Sequence, residues 1–183
     1  MATVRPRSFE LVTPVSEADH LTGPADAPVV VVEYGDFECP NCKQVAPALK
    51  QLLSRHAGKV RLAYRHFPLE GVHQHALQAA EAAEAAGAQG QFWAMHDLLF
   101  DNQSRLRSQD LRDYAARLGL DMKRYHREMR EHAWLPRVKA QIADGEQSGV
   151  RSTPGIFLNG RIHDVSAGLR SLFDATDALL ADG

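Results

Sequence analysis

The chain has 183 residues, 44% of them apolar and 24% charged, with a formal net charge of −2. This is the size and composition of one globular domain, or of one domain carrying a large insertion. The near-neutral balance gives no basic field to draw nucleic acid or anionic lipid, no run approaches the roughly 18 apolar residues of a membrane span, and no like-charge block reads as a disordered tail.

Residues 1–28 read as irregular and close on Gly23-Pro24-Ala25-Asp26-Ala27-Pro28, a loop composition. Within them, Ser8 to Val12 suits an edge strand. The segment holds Arg5, Arg7, Glu10, Glu17, Asp19 and Asp26 and no apolar run of signal-peptide length, so the expected location is the cytoplasm. Val29 to Tyr34 (VVVVEY) is a β-branched apolar run with one acid near its end, the pattern of a central strand buried on both faces. Gly35-Asp36 breaks it. From Pro40 to about His56 the period turns helical, with Val45, Leu49, Leu52 and Leu53 on one stripe. Pro40 suits the first helical turn, and Pro47 should kink the helix. Val60 to Phe67 predicts a second strand, which Pro68 closes.

Residues 74–148 read as wholly helical. Gln74 to Ala86, Phe92 to Phe100, Asp110 to Leu118, Met122 to His132 and about Leu135 to Gln147 are the predicted segments, with Ser108 as N-cap of the third and Gly119 as its C-cap. Phe92, Trp93, Met95, Leu98, Leu99 and Phe100 have the spacing of a helical core. The β signal returns at Gly155 to Leu158 and turns at Asn159-Gly160 into a partner strand, Arg161 to Val165. Ser166 is placed to cap a last helix from Ala167 to Ala181. Strands at both ends of the chain must pair around the helical block, an α/β sheet flanked by helices with an all-helical insertion. The discontinuous parent domain is 1–69 and 149–183, and the insertion is 70–148.

The only two cysteines, Cys39 and Cys42, are three positions apart. A bridge between them closes too short a loop to constrain the unfolded chain, so the pair reads as chemical and not structural. At a helix start the positive end of the peptide dipoles favours a thiolate. Cys39, before the first turn, is the expected exposed nucleophile. Cys42, one turn in, is the expected buried resolver of a mixed disulfide. Half a zinc site is the alternative, drawing on His66, His73 or His75, but no second cysteine pair supports it and no metal is expected. Glu33, six residues before Cys39 in an apolar strand, should be costly to ionise and could exchange the Cys42 proton; the alternative is an acid facing solvent at a sheet edge. His73 and His75 fall at the start of the first inserted helix and are either solvated or near a substrate. No nucleophile elbow, phosphate loop or dinucleotide fingerprint occurs.

The run EYGDFECPNCKQVAPAL resembles the active-site strand and helix of the thioredoxin superfamily, and TPGIFLNG resembles its cis-proline loop and hairpin. GPADAPVVVVEYGDFECPNC, RHFPLEGVHQHA, AAEAAEAAGAQGQFWAMHDLLF and DYAARLGLD are similar to a bacterial DsbA-like group that also occurs fused behind sodium/proton antiporters. The resemblance covers about Leu21 to Leu180. It implies a thioredoxin-like fold with an inserted helical domain and protein thiol–disulfide exchange, with Cys39 attacking, Cys42 resolving, Glu33 as buried acid and Pro154 cis. No cofactor is expected beyond a Cys39–Cys42 disulfide. Pro40, Asn41, Thr153 and Pro154 would tune the site, and His73, His75 and Phe37 are possible substrate contacts. The expected partners are protein or peptide thiols and disulfides and a redox partner the sequence does not identify. A cytosolic poise favours a reductase. The alternative is a redox-sensing or docking domain that regulates a partner protein. The chain departs from DsbA in carrying Asn41 in place of a histidine, and in carrying Gly155 where the group usually has a larger residue, which should loosen that strand.

Overall fold

The computed structural model describes residues 10–182. In chain order the elements are β1 (His20–Thr22), β2 (Val29–Gly35), α1 (Pro40–Arg55), β3 (Val60–His66), α2 (Ala76–Gly87), α3 (Phe92–Asp101), α4 (Ser108–Arg117), α5 (Met122–Arg130), α6 (Leu135–Gln147), β4 (Gly155–Leu158), β5 (Arg161–His163) and α7 (Arg170–Ala181). The strands form one sheet in the order β1-β3-β2-β4-β5. Only β2 and β3 are parallel, which α1 permits by crossing between them; the other pairs are antiparallel.

β2 lies in the middle of the sheet, which is why VVVVEY has no solvent-facing alternation. Val29 and Val31 share one core with Val45, Leu49 and Leu52 of α1 and Leu172 of α7. Val32 and Tyr34 point the other way, into a core with Phe67, Val150 and Phe157. Helix α6 closes that second face at short range: a Cβ on Gly145 would stand 2.7 Å from the Phe67 ring. A third core joins the helical block to the active-site segment, with Phe37, Cys39, Cys42 and Tyr64 packed among Phe92, Met95, Leu99 and Phe100.

Two buried ionic groups fasten the helical block to the sheet. Arg65 of β3 donates to Asp19 and, at 2.9 Å, to Asp144 of α6, which also accepts from the Tyr34 hydroxyl. Glu84 of α2 lies 2.9 Å from the Nε2 atoms of both His20 and His66, with Arg137 Nε 3.0 Å from its other oxygen. Among the described residues this last group alone brings together three metal-type ligands, His20, His66 and Glu84, and neither cysteine belongs to it.

The predicted boundaries shift at several places. The irregular N-terminal reading missed β1. Of the predicted edge strand Ser8–Val12, the first two residues lie outside the described ones, Glu10 forms an isolated bridge to Arg161, and the Leu11 N–H donates to the Gly160 carbonyl. Helix α1 runs on through Pro47. Arg107, not Ser108, is the N-cap of α4, because the Asp110 carboxylate takes the Arg107 N–H and pulls Ser108 into the first turn. α7 begins at Arg170, since Ser166 is held in a turn by the Asp164 carboxylate. The Asn159-Gly160 hairpin has φ of 45° and 80°, the left-handed pair that a tight two-residue turn needs.

Candidate active site

Cys39 is the N-cap of α1, with extended φ and ψ of −76° and 121°, and Pro40 occupies the first turn. Both cysteines are free thiols. Cys42 is fully buried, and Cys39 is only 5% exposed, more covered than an attacking thiol was expected to be. The Thr153–Pro154 peptide is cis, and the Thr153 carbonyl accepts the Cys39 S–H at 3.4 Å.

The two thiols are driven apart. The Cys42 S–H bonded to the Cys39 sulfur, helped by the backbone N–H groups of Cys42 and Asn41, brings Cys39 down from 9.0 to about 5 against the opposing effect of burial. Burial first, then that same hydrogen bond and the nearby Glu33, push the Cys42 thiol well above its ordinary value. Glu33 is fully buried in β2, neither carboxylate oxygen has a hydrogen-bond partner, and burial followed by the Cys39 charge raises its pKa from 4.5 to about 8. The solvent-facing alternative is thereby removed, because β2 has a strand on each side. Glu33 lines a cavity of about 140 Å³ with Ala46, Leu49, Lys50, Trp93 and Asp97. Its register partner across the parallel pair is Tyr64, whose buried hydroxyl also lacks a partner.

The loop before Cys39 is held from two sides. Asp36, 1% exposed, accepts the Glu38 N–H at 2.7 Å on Oδ1 and the Leu69 N–H at 2.8 Å on Oδ2, and Oδ2 lies 2.7 Å from His73 Nδ1. From the helical block, Gln103 Nε2 donates to the carbonyls of Phe37 and Cys39 at 2.9 and 2.8 Å. Sequence reasoning passed over both residues. Asp36 was read only as a strand breaker, although its bond to the N–H two residues on is a turn habit of aspartate. Nothing local marks Gln103.

Of the possible substrate contacts, His73 reaches the active-site loop through Asp36, and His75 is the α2 N-cap, its backbone N–H donating to Glu38. His75 thus stands at the helix start as expected, while His73 lies in the loop a few residues before Ala76. Phe37 is not at the surface: it is 1% exposed and stacks at 5.4 Å on Tyr64 and 5.0 Å from Phe100, because the loop turns it into the core. Gly155 does not loosen its strand. It is buried, and an added Cβ would stand 2.9 Å from Val150 Cγ1, so the position has no room for a side chain. A groove of about 730 Å³ runs beside the cysteines, with Asn41, Gln44 and Val45 on one side and Thr153, Pro154 and Ile162 on the other.

A family model described as Thioredoxin matches residues 15–177. The Na(+)/H(+) antiporter NhaA 1 of Salinispora arenicola is 45% identical over 174 residues, covering 94% of this chain and 26% of that protein. The chain thus spans about a quarter of the length of the curated relatives it matches. Among solved structures, oxidised BdbD from Bacillus subtilis is similar with a TM-score of 0.80 at 21% identity, covering 92% of this chain and 96% of that one. A thioredoxin-like oxidoreductase from Silicibacter pomeroyi is similar with a TM-score of 0.77 at 26% identity, covering 91% and 94%. The chain belongs to the thioredoxin family, in the DsbA-like group associated with sodium/proton antiporters.

Proposed function

We propose that this chain is a protein thiol–disulfide oxidoreductase in which Cys39 attacks and Cys42 resolves. The observation that carries the reading is geometric: Cys39 caps α1 against the Thr153 carbonyl of the cis Thr153–Pro154 peptide, with Cys42 fully buried one turn in, a placement that lowers Cys39 to about 5 and keeps Cys42 protonated. At neutral pH Cys39 is the thiolate and so the nucleophile. In the reducing direction its sulfur attacks a substrate disulfide; that S–S bond breaks, a Cys39–substrate bond forms, and the other substrate sulfur leaves and takes a proton from solvent. In the mixed disulfide Glu33 first releases its own proton to solvent through the cavity it lines; Cys42 then gives its proton to the resulting carboxylate and attacks Cys39 Sγ. The second substrate sulfur leaves, and two electrons have passed to the substrate while the pair becomes a disulfide. The oxidising direction is the reverse.

Glu33 is suited to this timing. The Cys39 charge is one of the two causes that raise its pKa, and the mixed disulfide removes that charge. Glu33 therefore becomes easier to ionise at the step that needs a base. The groove beside Thr153 and Pro154 would take an extended substrate segment, the Thr153 carbonyl being released when Cys39 ionises. A thiolate stabilised this far favours the reduced pair, which makes the pair a disulfide donor and argues against the reductase direction expected from a cytosolic poise.

Mass spectrometry of Cys42→Ser and Cys39→Ser after exposure to an oxidised protein tests the roles. Mixed disulfides should accumulate on Cys39 in the first and be nearly absent in the second; equal trapping would defeat the assignment. The second reading, a sensing or docking domain, is favoured by the match to about a quarter of proteins named antiporters. Disulfide exchange with glutathione but no turnover of any protein disulfide or dithiol would select it.

A further inference from the structure

We infer that His73 is the cationic positioning residue of this active site, its imidazolium seated on buried Asp36 and cancelling the carboxylate charge that would otherwise oppose the Cys39 thiolate. The inference rests on the oxidoreductase reading and deepens it.

The argument begins with Asp36. A carboxylate three residues before a nucleophilic thiolate is a liability, since like charges oppose each other's ionisation. Asp36 is nonetheless 1% exposed and tied rigidly to the nucleophile, its own carbonyl accepting the Cys39 N–H at 3.1 Å. It is also satisfied by the Glu38 and Leu69 N–H groups, so the loop would hold without a cation. The third partner, His73 Nδ1 at 2.7 Å, is the one that can neutralise it. Ring and carboxylate together present no net negative charge to Cys39, and the Nδ1 contact fixes where the positive charge sits.

The surroundings favour the charged ring. Burial works against it, but the hydrogen bond and charge of Asp36, then Cys39 and Glu38, hold the His73 pKa above its ordinary value. Among the other ionisable groups of the same loop, Glu70 is engaged with Lys139 of α6 and His75 meets Glu38 through its backbone. The charges facing His73 are thus the carboxylates of Asp36 and Glu38 and the Cys39 sulfur. All three favour imidazolium.

Coupling between two titrating groups is reciprocal, and this supplies a test that leaves His73 in place. NMR titration of the His73 ring in the reduced protein and in its Cys39–Cys42 disulfide form should show the ring pKa fall when oxidation removes the thiolate. The partner experiment follows thiolate absorbance near 240 nm and glutathione equilibrium in His73→Gln and His73→Lys. His73→Gln keeps a donor without charge and should raise the Cys39 pKa by about one unit, the low end for a nearby opposite charge, and move the glutathione equilibrium about tenfold toward the disulfide. His73→Lys should restore most of both. An unchanged His73 titration on oxidation, or equal effects of Gln and Lys, would overturn the inference and mark His73 as a loop tether. A wild-type chain with no thiolate below neutral pH and no glutathione exchange would instead sink the oxidoreductase reading beneath it.

Discussion

Replacing Glu33 with glutamine should invert the pH dependence of stability in the reduced protein. Burial first and the Cys39 charge second raise Glu33 from 4.5 to about 8, so the folded chain binds a proton there that the unfolded chain gives up. Stability from this group is full below pH 4.5 and is lost as pH rises to about 8; at about 1.4 kcal/mol per unit the loss is about 5 kcal/mol at most. Cys39 runs the other way. Its thiol falls from 9.0 to about 5, chiefly through the Cys42 S–H, so its contribution is full above pH 9 and is lost as pH falls to about 5. Because Cys39 sits next to the solvent-filled groove, screening reduces that contribution to about 2–3 kcal/mol. In the reduced wild type the Glu33 contribution outweighs that of Cys39. Urea unfolding of the reduced protein at pH 5 and pH 8.5 should therefore show a net fall of about 2 kcal/mol. In Glu33→Gln, stability should rise over the same interval by a few kcal/mol relative to wild type. In the oxidised wild type, where Cys39 cannot ionise, stability should fall. Parallel pH profiles for wild type and Glu33→Gln in both redox states would refute the idea that Glu33 is folded as a neutral acid.

Two further outcomes follow from named contacts. Asn41→His adds a cation at the groove beside Cys39 and should lower the Cys39 pKa and raise the reduction potential, about 30 mV for each 1.4 kcal/mol of added thiolate stabilisation; glutathione equilibration showing no upward move would assign the redox poise to other groups. Gly155→Ala drives a Cβ to 2.9 Å from Val150 Cγ1 in a buried strand and should cost about 1–3 kcal/mol; an unchanged denaturation midpoint would mean that Val150 turns aside freely.

The sequence by itself determined the chemistry and most of the elements. A strand with no polar alternation, a proline in the first helical turn and two cysteines one turn apart state their local physics within a dozen residues, and the helical block follows from periodicity alone. Glu33 was legible because an acid in an apolar strand is a local anomaly. Tertiary structure decided what depends on distant partners. Only the pairing of β2 between β3 and β4 shows that Glu33 has no route to solvent through a sheet edge. Only packing shows that Phe37 turns inward and that Gly155 is small because Val150 fills its space. Gln103 carries no signal of its office in its neighbours and Asp36 only that of a turn to Glu38, since the other groups they hold are up to 66 residues away in the chain. Short helices and strands are fixed by neighbouring side chains, whereas burial, charge pairing and the pKa of a thiol depend on atoms that only the folded chain brings together.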